Sequence, residues 1–445
     1  MNRQGGAAEM SHMEEVLSKF LPAAYEAMAA LGLDPVPIDF EIVPADAIYE
    51  LASYGLPGHY GHWTFGRDYW RMKRQFEAGA GRLYEMIIET SPPVAYLLES
   101  NTMAAQKLVV AHCLGHADVF RHHVLAAQGG GQFHQTLAAA ADRFAGYRTE
   151  YGALAVEVVL DRAMAIQGQV AVEPELTDAN PATSGPVDAY ADLWAKPARA
   201  DPPARPPRYR LPTADLLGFL ARESPVLTAW ERDICDVVRM EGLYHRPKRQ
   251  IKIIHEGWAT FCHQALLPQL PLSPGEQIEA ARIHAQVARP DPLSLNPYWF
   301  GWRFLQGLVE DYGLLPARSR MMQESDASLV RNYLTPERVR ALDLYHYRWN
   351  QGYVTTPQGG RAVWNAERQD DDPRELRDLL ANALAERPPE VVVEMVDGDD
   401  RLVLRHSEDG TALDPEWAQL TLDGIRQLWG HPVLLHDGES LYVAQ

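Results

Sequence analysis

Residues 171–212 constrain this chain more than any other stretch, because they hold nine prolines, including the pairs Pro202-Pro203 and Pro206-Pro207, and few large aliphatics. Such a segment has neither the backbone donors for a helix or central strand nor the side chains for a core. It reads as an extended connector between two helical stretches. Upstream, Ser11 to Leu31 reads as a helix with a capping box at Ser11 and Glu14 and a kink at Pro22. Pro37–Val43 alternates like a strand, Arg82–Thr90 has β composition and stops at Ser91-Pro92-Pro93, and Thr102–His123 and Gln132–Ile166 read as helices. Downstream, helical pattern covers Ala214–Met240, Lys252–Leu267 and most of 275–350, with a break at Asn296-Pro297-Tyr298-Trp299. After Arg387, two β-rich runs around Asp397-Gly398-Asp399-Asp400, a helix and two short strands make a ββαββ unit.

The expected fold is therefore mainly α (α+β): a helical domain with a small N-terminal β element, and a C-terminal ββαββ domain. The expected division is an N-terminal helix over 1–36, a first half of the main domain over 37–170, the connector over 171–212, a second half over 213–386 and a C-terminal domain over 387–445. Forty-one Lys and Arg against sixty Asp and Glu give a formal charge of −19, which argues against a general nucleic-acid binder. No run approaches the length of a membrane span. Residues 1–17 carry no apolar signal core, and Cys113, Cys235 and Cys262 are odd in number and far apart, so a reducing cytoplasm is the expected setting.

Two segments can carry chemistry. In LVVAHCLGHADVFRHH, His112 and His116 lie one helical turn apart and can share a metal ion, with His123 two turns further on. Sixteen histidines in the chain make such a spacing ordinary, so packed or solvated imidazoles are the competing reading. In KIIHEGWATFCHQ, Glu256 and His263 share a face flanked by Ile253, Trp258 and Phe261. A carboxylate there is paired, metal-bound, or capping its own helix. Together the segments resemble gluzincin-type metallopeptidases, in which an HExxH helix and a second helix with an EGxA-like stretch supply a His2Glu zinc set. By that resemblance the helical domain is zincin-like and His112, His116 and Glu256 hold zinc or another divalent metal; His263, on the face of Glu256, is read as a fourth ligand or a transition-state stabiliser. One departure stands out: Cys113 replaces the HExxH glutamate that activates water, and a thiol is a poor substitute for that base.

Further positions extend the site. Glu157 and Asp161, a turn apart, can supply a base or an outer carboxylate, or can flank a helix beside Arg162. Glu85 can fix a histidine tautomer, or can face solvent. In the loop Tyr54–Gly66, His59 and His62 can bind metal, line a cleft or staple the loop. His62, Trp63 and Tyr298 are the expected substrate contacts, with substrate entering between residues 58–66 and 296–302.

From residue 37 onward the chain resembles the SpoVR family. The carriers are YGLPGHYGHWTFG, SPPVAYLLESNTM, VVAHCLGH, EVVLD, HEGWATFCH, LNPYWFG, the LRH strand and DGIRQLWG. The resemblance implies a cytoplasmic protein linked to the spore cortex in spore formers and to stationary-phase stress elsewhere. A serine protein kinase and a von Willebrand A-like protein are its implied partners, and no reaction is implied. Relatives tend to carry Asn at the positions of His255 and of His122-His123, and an aromatic at Cys262. The reading that follows is a metal-dependent amide or peptide hydrolase, with a non-catalytic scaffold regulating a kinase or envelope enzyme as the rival.

Overall fold

A computed structural model describes residues 3–78, 85–126, 130–171, 209–291, 294–356, 359–385, 389–407, 411–438 and 440–445. Most of the proline-rich connector, residues 172–208, lies outside them. The chain forms two compact units, Met1–Gly146 with Tyr244–Glu386, and Tyr147–Leu243 with Arg387–Gln445.

The first unit is built around the helix Met103–His122, in which every residue from Ala104 to Val119 is buried. Thr102 caps its start by accepting from the Ala105 amide at 3.3 Å. A helix enclosed on all sides must be apolar all round or pair each polar group it carries. Gln106 donates to the Leu98 carbonyl at 2.9 Å, and Lys107 meets Glu276 at 2.6 Å. Asp118, wholly buried, accepts from Trp258 Nε1 at 2.8 Å and from the Arg318 guanidinium at 2.5 and 2.8 Å. One carboxylate thus ties this helix to Lys252–Leu266 and Leu314–Met321.

Glycines set how closely these helices approach. A Cβ on Gly115 would stand 2.6 Å from Ala259 Cα, and one on Gly257 would stand 2.5 Å from the Gly301 backbone. Met103–His122 therefore lies almost backbone to backbone on Lys252–Leu266, which lies likewise on Pro297–Tyr312. Beside them is a three-stranded sheet in which Asp39–Val43 runs parallel, and Glu85–Ile88 antiparallel, to the central Val94–Leu98.

Several expectations need correcting. The first helix begins upstream at Arg3 and runs through Pro22 to Ala30, so Ser11 is interior and not its cap. Val94–Leu98 is a strand that the sequence reading passed over. The helical pattern after 275 gives way to the hairpin Tyr347–Thr356 and Gly359–Arg368. The Asn296-Pro297 break is a helix start, with Asn296 Oδ1 accepting from the Tyr298 amide at 3.0 Å. His123 ends its helix, with Nε2 2.9 Å from the Glu324 carbonyl and Nδ1 accepting from the Leu125 amide.

In the second unit the expected ββαββ order is present. Val391–Val396, Leu402–His406, Val433–Asp437 and Ser440–Ala444 form a four-stranded sheet in that order. The middle two strands are parallel, joined through the helix Pro415–Trp429, which buries Leu422, Ile425, Leu428 and Trp429.

Two substitutions test this packing. Gly115→Ala is expected to destabilise the protein by about 1–3 kcal/mol, because the clash is with backbone rather than a flexible side chain. Asp118→Ala is expected to cost about 3 kcal/mol or more, since it strands the Arg318 charge. Denaturant unfolding of both variants measures these costs, and wild-type midpoints would contradict the packing described.

Candidate metal centre

On the same buried helix His112 and His116 turn one ring nitrogen each towards a second helix. Their imidazoles stand 4.5 Å apart, centre to centre, and both face Glu256 on the adjoining helix. The Glu256 carboxylate is not occupied as a cap, because Asp326 fills that role. Its two oxygens accept from the Ile253 and Ile254 amides at 2.7 and 2.9 Å.

Glu256 Oε2 lies 3.8 Å from His112 Nε2 and 3.7 Å from His116 Nε2, and it makes no hydrogen bond. His116 Nδ1 also lacks a hydrogen-bond partner. Three ligand atoms from His112, His116 and Glu256 fall within 4.8 Å of one another. Donors about 2.1 Å from a tetrahedral zinc ion are separated by about 3.4 Å, close to the 3.7 and 3.8 Å between Glu256 and the two imidazoles. Two imidazoles, one carboxylate and orphaned buried donor atoms fit a divalent cation of the zinc class. His112 and His116 side chains are only 5% and 6% exposed, whereas Glu256 keeps 22%, so the group is reachable from one side.

The protonation states suit the same role, since metal ligands must present lone pairs. Burial, aided by the neighbouring His255 and His112, holds His116 well below the usual imidazole range. Burial alone would raise Glu256, but the facing imidazoles of His112 and His255 and the Tyr298 hydroxyl outweigh it and keep the carboxyl below its ordinary value.

His263 is not one of the converging donors. Its Nδ1 lies 3.1 Å from His112 Nδ1, and its Nε2 lies 3.0 Å from His284 Nδ1. The three rings form a line in which each can donate to the next. With His112 Nε2 bare towards Glu256, its Nδ1–H donates to His263, which donates from Nε2 to His284. Burial lowers both His263 and His284, in keeping with neutral rings. This is how an outer partner fixes the tautomer of a metal-ligating histidine.

A cavity of about 230 Å³ adjoins the centre, and Glu85, His112, His263 and Tyr298 are in its wall. Glu85 faces the interior from its edge strand, and burial raises its carboxyl above the usual range. Tyr298 stacks over His112 at 6.1 Å, with its hydroxyl near enough to Glu256 to help hold that carboxyl down. Cys113 points elsewhere into the core with no exposure, and burial pushes its thiol well up, so it cannot take the place of the missing glutamate as a base.

Other expected residues have partners of their own. His62 caps the helix Trp63–Glu77, with Nδ1 2.7 Å from the Thr64 hydroxyl, and Trp63 is 55% exposed with Arg67 over its ring. Neither borders the cavity. His59 packs edge-on against Phe65 at 4.9 Å. Glu157 pairs with Arg148 at 3.0 Å on the second unit, where Asp161 also lies. Two residues at the site were missed in the sequence. His255 stacks on His116 at 4.3 Å, and its departure from the family's Asn was the available signal. His284 is a lone histidine on an ordinary helix, with no spacing to mark it.

Burial holds His116 and His263 well below their usual range, and pushes His255 down to about 4. The folded state therefore stays neutral where the unfolded chain gains protons. The stabilisation is complete above about pH 6.5 and is lost as pH falls towards the folded values. The denaturation midpoint of chelator-treated protein is expected to drop steadily from pH 6.5 to 5, and a flat profile would contradict these burials.

Comparison with known proteins adds a lineage. The family model described as SpoVR like protein matches residues 10–386, and the SpoVR-like C-terminal domain matches residues 389–440. The "Uncharacterized protein YcgB" of Escherichia coli K12 is 25% identical over 454 residues, spanning 91% of this chain and 88% of its own length. No solved structure matches. No helix among the described residues is long and apolar enough to cross a membrane.

Proposed function

This chain belongs to the SpoVR family, and we propose that it is a metal-dependent protein in which His112, His116 and Glu256 hold a divalent cation, most naturally zinc, that acts on an amide or peptide bond. The observation that carries this reading is the convergence of three donor atoms, two of whose side chains keep an unpartnered buried atom. A cation bound by three protein ligands with a position open can polarise a carbonyl and acidify a water. The chain's own residues supply the rest. Tyr298 helps to keep Glu256 ionised, while His263 and His284 hold the His112 ring. Glu85 is the carboxyl in the cavity wall, and it stands in for the proton-handling glutamate that Cys113 replaces.

Cys113 is also the observation favouring a second reading, a metal-holding scaffold that regulates a partner such as a kinase without turnover. A sporulation or stationary-phase setting, as the family's name and resemblance suggest, accommodates both.

Elemental analysis of protein purified without a histidine tag is expected to find about one zinc-class ion per chain. His112→Ala and Glu256→Ala should fold and lose the ion. His263→Ala should keep the site but weaken metal affinity by about 10–100-fold. Absence of metal, or full retention in Glu256→Ala, would overturn the metal reading. With metal bound, turnover of peptides or amides that Glu256→Ala abolishes supports the hydrolase, and no turnover leaves the scaffold.

A further inference from the structure

The cavity beside the metal group has a mixed lining. Its aliphatic part is Leu108, Val109, Ile283, Val287 and Ala288, and His284 shares the helix of Ile283 and Val287. Among the described residues no lysine or arginine lines it. Two polar groups in it lack partners. The Thr260 hydroxyl, on a fully buried residue one turn beyond Glu256, has no hydrogen bond. Glu85 has no hydrogen bond or ion pair to any described residue, and feels only the nearby His112 and Glu256 charges. Buried hydroxyls are rarely left without a partner, so the Thr260 hydroxyl, with the half-buried Glu85 carboxyl in the same lining, marks where a ligand's polar group belongs.

We propose that this cavity is a recognition subsite for a neutral, branched aliphatic acyl amide. The hydrocarbon chain lies against Val109, Ile283 and Val287, and the amide reaches Thr260 and Glu85. The proposal rests on the metal reading above, because it supplies the substrate class of that same centre. An apolar cavity of about 150 Å³ suffices for a benzene-sized guest, so about 230 Å³ takes a branched chain with its amide. An anionic chain would be repelled by Glu85 and Glu256. A cationic one would be stripped of water against five aliphatic side chains, with no fixed counter-charge at that end.

The test uses the full chain loaded with zinc and three hydroxamates that share one chelating head. Each methylene taken fully out of water is worth about fourfold in affinity. 4-Methylpentanohydroxamate is expected to bind at least about tenfold tighter than acetohydroxamate by calorimetry, and 6-aminohexanohydroxamate to show no such gain. Val287→Phe, which adds bulk to the aliphatic lining, should erase the preference. Val287→Ala, which leaves more room, should keep the preference. Equal affinities, a preference surviving Val287→Phe, or tightest binding of the cationic chain would overturn the subsite while leaving the metal centre intact. In parallel, 4-methylpentanamide, which has no chelating head, is titrated into metal-free protein and followed by methyl NMR. Saturable shifts lost in Val287→Phe uphold the subsite even if no metal binds, and an absence of shifts overturns it.

Discussion

The structure depends on how closely three helices can approach. Gly115 lets Met103–His122 settle against Ala259, and Gly257 meets Gly301 across the next contact. At ordinary interhelical distance the imidazoles of His112 and His116 and the Glu256 carboxylate would stand apart, each needing its own solvent or partner. With side chains absent at the crossing points, donors from two remote segments come within 4 Å of one another. The glycines do no chemistry, yet they decide whether the chemistry can exist.

The interior adds a second constraint. A helix enclosed over sixteen residues has no water to satisfy its polar groups. Gln106, Lys107 and Asp118 each find a partner on a neighbouring element, and Asp326 frees Glu256 from capping duty. What remains after this pairing is the His112, His116 and Glu256 group, with His263 and His284 lined up behind it. A cation is the simplest single species that satisfies two bare imidazole nitrogens and a carboxylate at once. The cavity beside it has an aliphatic lining and the unpartnered Thr260 hydroxyl.

Much of this was legible in the sequence, and the reasons are local. HxxxH spacing fixes two side chains on one helical face whatever surrounds them, and EGWA on a second helix names the acid. The C-terminal ββαββ order was readable because turn residues and strand alternation sit side by side there. Long-range pairing was not readable. Nothing near Glu157 reveals that Arg148 takes its carboxylate, and nothing near His62 tells a helix cap from a substrate contact. The strand Val94–Leu98 follows a Ser-Pro-Pro breaker and is too short for alternation to mark it. His284 reaches the site only through tertiary packing. The glycines in LGH, EGW and WFG were visible as interruptions of helical pattern, and such interruptions are a sign of close approach.

X-ray absorption spectroscopy of the zinc-loaded protein bears most directly on the central claim. The account predicts a first coordination sphere of nitrogen and oxygen at about 2.0–2.2 Å, with the outer scattering of two imidazole rings and no sulfur. A zinc–sulfur distance near 2.3 Å, which would bring Cys113 or Cys262 into the site, or a sphere without imidazole scattering, would contradict it.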